Sequence, residues 1–152
     1  MLFFPNHEAF ATGGMEYEYH PVAPGDNNFR LLLRINVENV PTLAVIDTGA
    51  PFLLIAPTVA DRLGFDPGSA LEHTNIGIRK QDYQGSLFRV DVELAAAEGE
   101  SITFQATAFV PDPDQVEKWG NLPTFLGVQS CLERIRFAID PSDYKFYFGP
   151  LP

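Results

Sequence analysis

Leu43-Ala-Val-Ile-Asp-Thr-Gly-Ala50 is the stretch on which the reading of this chain turns. Four apolar residues run straight into an ionisable one. A carboxyl group at the end of a buried strand is costly, because desolvation opposes its charge. Thr48 follows with a hydroxyl that can bond across a tight turn, and Gly49 lets the backbone approach closely. Ala50, Pro51 and another apolar piece, Phe52-Leu-Leu-Ile55, come next. This order holds a carboxylate at the floor of a cleft, oriented by main-chain and hydroxyl groups. The plainer reading is a turn between two strands, since Asp and Gly are ordinary turn residues.

Working outward, Phe29-Arg-Leu-Leu-Leu-Arg-Ile-Asn-Val37 and Thr42-Leu-Ala-Val-Ile46 read as apolar strands. Glu38-Asn-Val-Pro41 joins them at hairpin length. Downstream, Thr58-Val-Ala-Asp61 has the spacing of a capping box with Asp in the last place, and Gly64 offers a stop, which predicts a helix over 58–63. Thr74–Ile78, Ser86–Leu94 and Ile102–Val110 carry partial period-2 alternation, broken at Gly85 and Gly99, and read as strands. Pro111-Asp-Pro-Asp114 opens a polar loop that runs to about Pro123. Val128, Cys131, Leu132 and Ile135 fall at i, i+3, i+4 and i+7 and predict a second short helix. A last hairpin follows: Phe137–Ile139, the turn Asp140-Pro-Ser-Asp143, and Tyr144–Phe148. Residues 1–28, rich in Gly, Pro and Asn, read as an arm or loop with one alternating piece, Met15–His20. The fold class is all-β with two short helices, and residues 29–152 form its one domain.

The bulk numbers exclude more than they assign. A chain of 152 residues with 45% hydrophobic residues can bury a core, which sets disorder aside. A net charge of -10 would repel a phosphate backbone and an anionic bilayer, so neither nucleic acid nor membrane is an expected partner. The single cysteine, Cys131, cannot form an internal disulfide and gives no sign of an oxidising compartment. Met1-Leu-Phe-Phe-Pro-Asn-His-Glu8 lacks a basic leader, and no stretch approaches the roughly 18 apolar residues of a membrane span. The expectation is a soluble cytoplasmic protein.

Thr124-Phe-Leu-Gly127 lies downstream of Asp47, before the apolar spacing at 128–135 and a final hairpin. This order resembles the retropepsin family of aspartic proteases: strand, Asp-Thr-Gly-Ala, strand, flap hairpin, second hairpin, a hydrophobic-hydrophobic-Gly motif, helix and terminal strand. The resemblance covers about residues 29–149 and is nearest the single-domain bacterial members. It implies an acid-protease-like closed barrel, one lobe of a two-fold dimer. It implies Asp47 as the catalytic carboxylate, with Thr48 bonding across the subunit boundary and Gly49 completing the loop. Phe125, Leu126 and Gly127 would brace that loop. Ala50, Ile78, Arg79, Tyr83, Phe125 and Leu126 would form the substrate-binding set. The flap is expected between about Gly77 and Gly85, around Ile78-Arg-Lys-Gln-Asp-Tyr83, and departs from the glycine-rich viral tip by being charged.

The implied chemistry is peptide hydrolysis by a water held between two carboxylates that share one proton. One Asp-Thr-Gly per chain requires a homodimer acting on a polypeptide in extended form, without cofactor or metal. Pepsin-like lobes carry a hydroxyl where this chain has Ala50, so the expected pH profile is a bell with a mildly acidic optimum. The competing function is a non-catalytic dimer of the same fold that binds peptides or acts as a scaffold, and the charged flap speaks for it. Other candidates are weaker. Asp140 starts a turn with Pro in second place. His7, His20 and His73 lack metal-ligand spacing. Cys131 sits among apolar residues, and Ser86 and Ser130 lack a nucleophile context. Trp119 reads as a core or dimer contact.

Overall fold

The computed structural model describes residues 1–152. The segment before Arg30, read as arm or loop with one alternating piece, carries four short strands and no strand over residues 21–29: β1 (Leu2–Phe3), β2 (Ala9–Ala11), β3 (Gly13–Glu16) and β4 (Glu18–His20). Its glycines mislead for a physical reason. A Cβ on Gly13 would stand 2.2 Å from the Glu100 carbonyl and 2.6 Å from the Phe148 ring, so glycine here admits a strand between close neighbours. Met15 and Tyr17, which flank Glu16, are buried.

β5 (Arg30–Val37) and β6 (Val40–Ile46) form the expected hairpin, with a tighter turn than expected. Glu38 and Asn39 alone connect them, at φ 47° and 65°, the left-handed pair whose twist suits a hairpin. β7 (Leu53–Leu54) leads into α1 (Pro57–Leu63). The helix start differs from the capping box read at Thr58–Asp61. Ala56 is the N-cap, no side chain caps it, and Pro57 with its preset φ opens the first turn. Gly64 does end the helix, at φ 64°, with its N–H donating to the Ala60 carbonyl at 3.0 Å.

β8 (Glu72–Ile78) and β9 (Gln81–Leu94) form a long hairpin, followed by β10 (Glu98–Gly99) and β11 (Ile102–Pro111). Gly85 does not break β9. α2 (Val116–Trp119) lies inside the expected polar loop, and β12 (Thr124–Leu126), β13 (Ile135–Asp140) and β14 (Lys145–Pro150) close the chain.

Residues 128–135 do not form the helix their spacing suggests. The Val128 N–H donates to Ala50, those of Cys131 and Arg134 close tight turns, and one 3-10 turn at Leu132–Arg134 precedes β13. Cys131, Leu132 and Ile135 are buried all the same. The apolar spacing recorded burial correctly and the backbone incorrectly.

Eight strands order as β4-β5-β6-β12-β7-β11-β9-β8, and a further pairing of β5 with β9 closes the middle six into a barrel. β12 threads between β6 and β7, parallel to the first and antiparallel to the second. Successive residues of β5 point to opposite sides. Leu33, Ile35 and Val37 enter the larger core with Val90, Val92 and Leu126, while Leu32 joins Leu54, Phe109, Trp119 and Phe125 in a second. A separate sheet orders as β10-β3-β14-β13. β14 is enclosed between β3 and β13, with Phe146 and Phe148 fully buried and Tyr144, just before it, exposed. No helix is long and apolar enough to cross a membrane.

Candidate active site

Asp47 leaves the end of β6 and enters a turn held from two directions. Its own Oδ1 accepts the Gly49 N–H at 2.9 Å, and its carbonyl accepts the Ala50 N–H at 3.1 Å. The Asp47 N–H donates to the Leu126 carbonyl at 3.1 Å, which ties the turn to the end of β12. Three further bonds stitch the loop to the residues after β12. Gly127 N–H donates to Phe52, Val128 N–H to Ala50, and Phe52 N–H to Gln129, at 2.8, 2.9 and 3.0 Å. A Cβ on Gly127 would meet the carbonyl oxygens of Phe52, Ala50 and Pro51 at 2.3, 2.5 and 2.7 Å, so only glycine fits. Below this, the buried Thr124 hydroxyl accepts the Ala56 N–H at 3.1 Å and satisfies the backbone just before α1.

A cleft of about 530 Å³ opens above the turn. Its floor is Val45, Ile46, Asp47, Gly49, Ala50, Leu54 and Phe125, one wall is Tyr19, Phe29, Arg30 and Leu31, and Gly77, Ile78 and Arg79 reach in from the β8–β9 hairpin. The hairpin tip, Arg79 and Lys80, has φ 49° and 66°, a two-residue turn of hairpin type. The flap expected between Gly77 and Gly85 is thus the outer part of this hairpin. Asp47 is half-buried, and Thr48 and Gly49 are exposed.

Of the residues singled out from the sequence, Asp47, Gly49, Ala50, Ile78, Arg79 and Phe125 line one cleft, with Thr48 in the same loop. Tyr83 and Leu126 do not line it. Leu126 is fully buried in the larger core. Tyr83 is buried with its ring edge-to-face against Trp119 at 5.3 Å and the Lys118 ammonium 4.9 Å above it. In a hairpin paired Ile78 to Gln81 and Ile76 to Tyr83, the residue deep along the strand faces the core and only the tip reaches the cleft. Tyr19, Phe29, Arg30 and Leu31 were missed. Their own signals, an alternating piece and a strand start, were visible, but nothing local says that β4 and β5 wall the cleft.

The remaining candidates have structural explanations. Ser142 donates to Asp140 Oδ1 from its N–H at 3.0 Å and its hydroxyl at 2.6 Å, and the hydroxyl bond foremost holds that carboxyl below its usual value. His20 is raised by its bond to the Pro21 carbonyl and then by Glu18, and His73 pairs with Asp112 at 2.7 Å. Cys131 is fully buried, and burial pushes its thiol up to about 12, which leaves no reactive thiolate. Trp119 is core, donating to the Leu122 carbonyl at 2.8 Å.

A carboxylate on a strand end, a second strand threaded behind its loop, and a hairpin arched over the cleft together define an aspartic-protease lobe. The chain belongs to the aspartyl protease family, whose model matches residues 33–115. Its fold is retropepsin-like: a retropepsin-like aspartic protease from Rickettsia conorii superposes with a TM-score of 0.57 at 19% identity, over 90% of this chain and 89% of that one. The retroviral protease-like domain of Ddi1 from Leishmania major matches at TM-score 0.47 and 17% identity, over 81% and 94%. The EIAV protease complexed with the inhibitor HBY-793 matches at TM-score 0.44 and 18% identity, over 70% and 88%. No curated protein matches.

Proposed function

We propose that the chain is an aspartic endopeptidase that works as a homodimer, with Asp47 of each copy meeting across a two-fold axis. One observation carries this reading: Asp47 is the only carboxylate lining the cleft. A lone carboxylate cannot at once take a proton from water and hold one for the scissile carbonyl. The exposed Thr48 and Gly49 offer the loop surface that a second copy would cover.

In that dimer the two carboxyl groups share one proton, because like charges this close do not both ionise readily. The ionised group removes a proton from the bound water as its oxygen attacks the carbonyl carbon. The neutral group gives its proton to the carbonyl oxygen. Collapse of the tetrahedral diol then breaks the C–N bond, with the proton returned to the leaving amine. Val45, Ile46, Leu54, Ile78 and Phe125 suit apolar side chains beside the scissile bond.

Asp47→Asn keeps the shape of the turn but removes the base. Peptide cleavage should disappear while the circular dichroism spectrum and thermal transition stay close to wild type. Cleavage that persists in this variant would remove Asp47 from the chemistry. Wild-type activity should be bell-shaped in pH, since the pair works with one proton only.

A further inference from the structure

The charge around the cleft runs against the charge of the whole molecule. The chain carries 20 acidic and 10 basic residues, yet the cleft lining holds two arginines, Arg30 and Arg79, against Asp47 alone. Lys80 adds a third cation at the hairpin tip. Neither Arg79 nor Lys80 takes part in any ion pair, whereas Arg34 and Lys145 have carboxylate partners. Arg30 is only loosely matched, with its Nε 3.9 Å from Asp26 and buried without a hydrogen-bond partner. Asp82, the acid nearest the tip along the chain, is registered opposite Gly77 and so lies on the other face of the hairpin from Ile78. At physiological salt, charges beyond about 8 Å are screened; Asp26, beside Arg30 and lining a neighbouring depression with Arg79, offsets one cation, and Arg79 and Lys80 leave the hairpin side of the cleft positive.

We infer that the cleft selects polypeptides carrying an acidic side chain at a subsite between Arg30 and Arg79. This rests on the peptidase reading and names its substrate class. The acid cannot sit at the scissile bond, where it would face the ionised member of the Asp47 pair. It belongs a few residues away, where the peptide passes under the hairpin tip. The guanidinium groups have free donors there and match a carboxylate in shape. In exposed geometry each such pair is worth about two- to fivefold in affinity.

The test uses full-length protein and matched peptides with apolar residues at the scissile bond. Each pair differs only in Glu or Gln, scanned across both sides of that bond. At one position at least, the Glu peptide should show a kcat/KM about two- to fivefold higher. That ratio should fall towards one in Arg79→Asn, in Arg30→Gln, and in high salt. Asn tolerates the left-handed φ at position 79, and Arg30→Gln serves if the hairpin variant misfolds. A ratio of one or below at every position, or one indifferent to both substitutions, overturns the inference. If no peptide is cleaved, the peptidase reading fails and the same pairs are measured by fluorescence anisotropy. Tighter binding of the Glu peptide, lost in the arginine variants, would uphold the acid selectivity. Equal binding would overturn it too.

Discussion

At Gly127 three carbonyl oxygens, those of Phe52, Ala50 and Pro51, crowd the place a Cβ would occupy. They are backbone atoms of the loop that aims Asp47, so relief comes only by moving that loop. Gly127→Ala should lower stability by about 1–3 kcal/mol in urea denaturation and depress activity further than stability. Gly77→Ala meets nothing nearer than 3.9 Å and should be much milder in denaturation. Cys131 gives a pH effect with a definite sign. Its thiol ionises near 9.0 when unfolded and is pushed to about 12 by burial, so the native state keeps the proton longer. This contribution is whole below pH 9 and is lost as pH rises from there towards 12. Wild type should lose about 1.4 kcal/mol more than Cys131→Ala between pH 7 and pH 10, read from urea midpoints. Asp47 was legible in the sequence because its reasons are local: an apolar strand, an acid, a small turn. Tyr83 was misassigned because a strand residue's facing depends on what packs beneath it, here Trp119.

The β8–β9 hairpin is packed at its base and exposed at its tip. Ile76 and Tyr83 are buried against the cluster that holds Trp119, while Arg79 and Lys80 are exposed. Amides of residues 78–81 should exchange in the free protein much faster than those of β9 and β11, whose pairing runs from Gly85–Pro111 to Leu94–Ile102. Protection at the tip equal to that of β11 would contradict this. Most elements could be read from the chain because hairpin turns and alternation are local. The segment 128–135 could not. Three of its four apolar residues at helical spacing, Cys131, Leu132 and Ile135, are buried by a loop pinned to Ala50 and Phe52, and sequence spacing alone cannot tell a helix face from a folded turn under a barrel. Gly13 read as loop and Gly85 as a break for the same reason. Their neighbours, Phe148 and Phe109, are far away in sequence.

At the scale of the molecule, one lobe supplies one carboxylate, and the barrel, threaded β12 and overarching hairpin are complete without a second copy. The C-terminal strand β14 is enclosed between β3 and β13. The turn beside Asp47 stays exposed at Thr48 and Gly49. Motif order foretold the barrel and its family, whereas the cleft wall of Tyr19, Phe29, Arg30 and Leu31 depends on how β4 and β5 sit beside the Asp47 turn, which no local signal records. The most direct measurement mixes wild-type and Asp47→Asn chains under conditions of subunit exchange, at constant total protein. If each site needs Asp47 from both copies, activity follows the square of the wild-type fraction, so an equal mixture retains about a quarter. Activity of about a half, proportional to the wild-type fraction, would mean that a single chain suffices and would contradict the shared site.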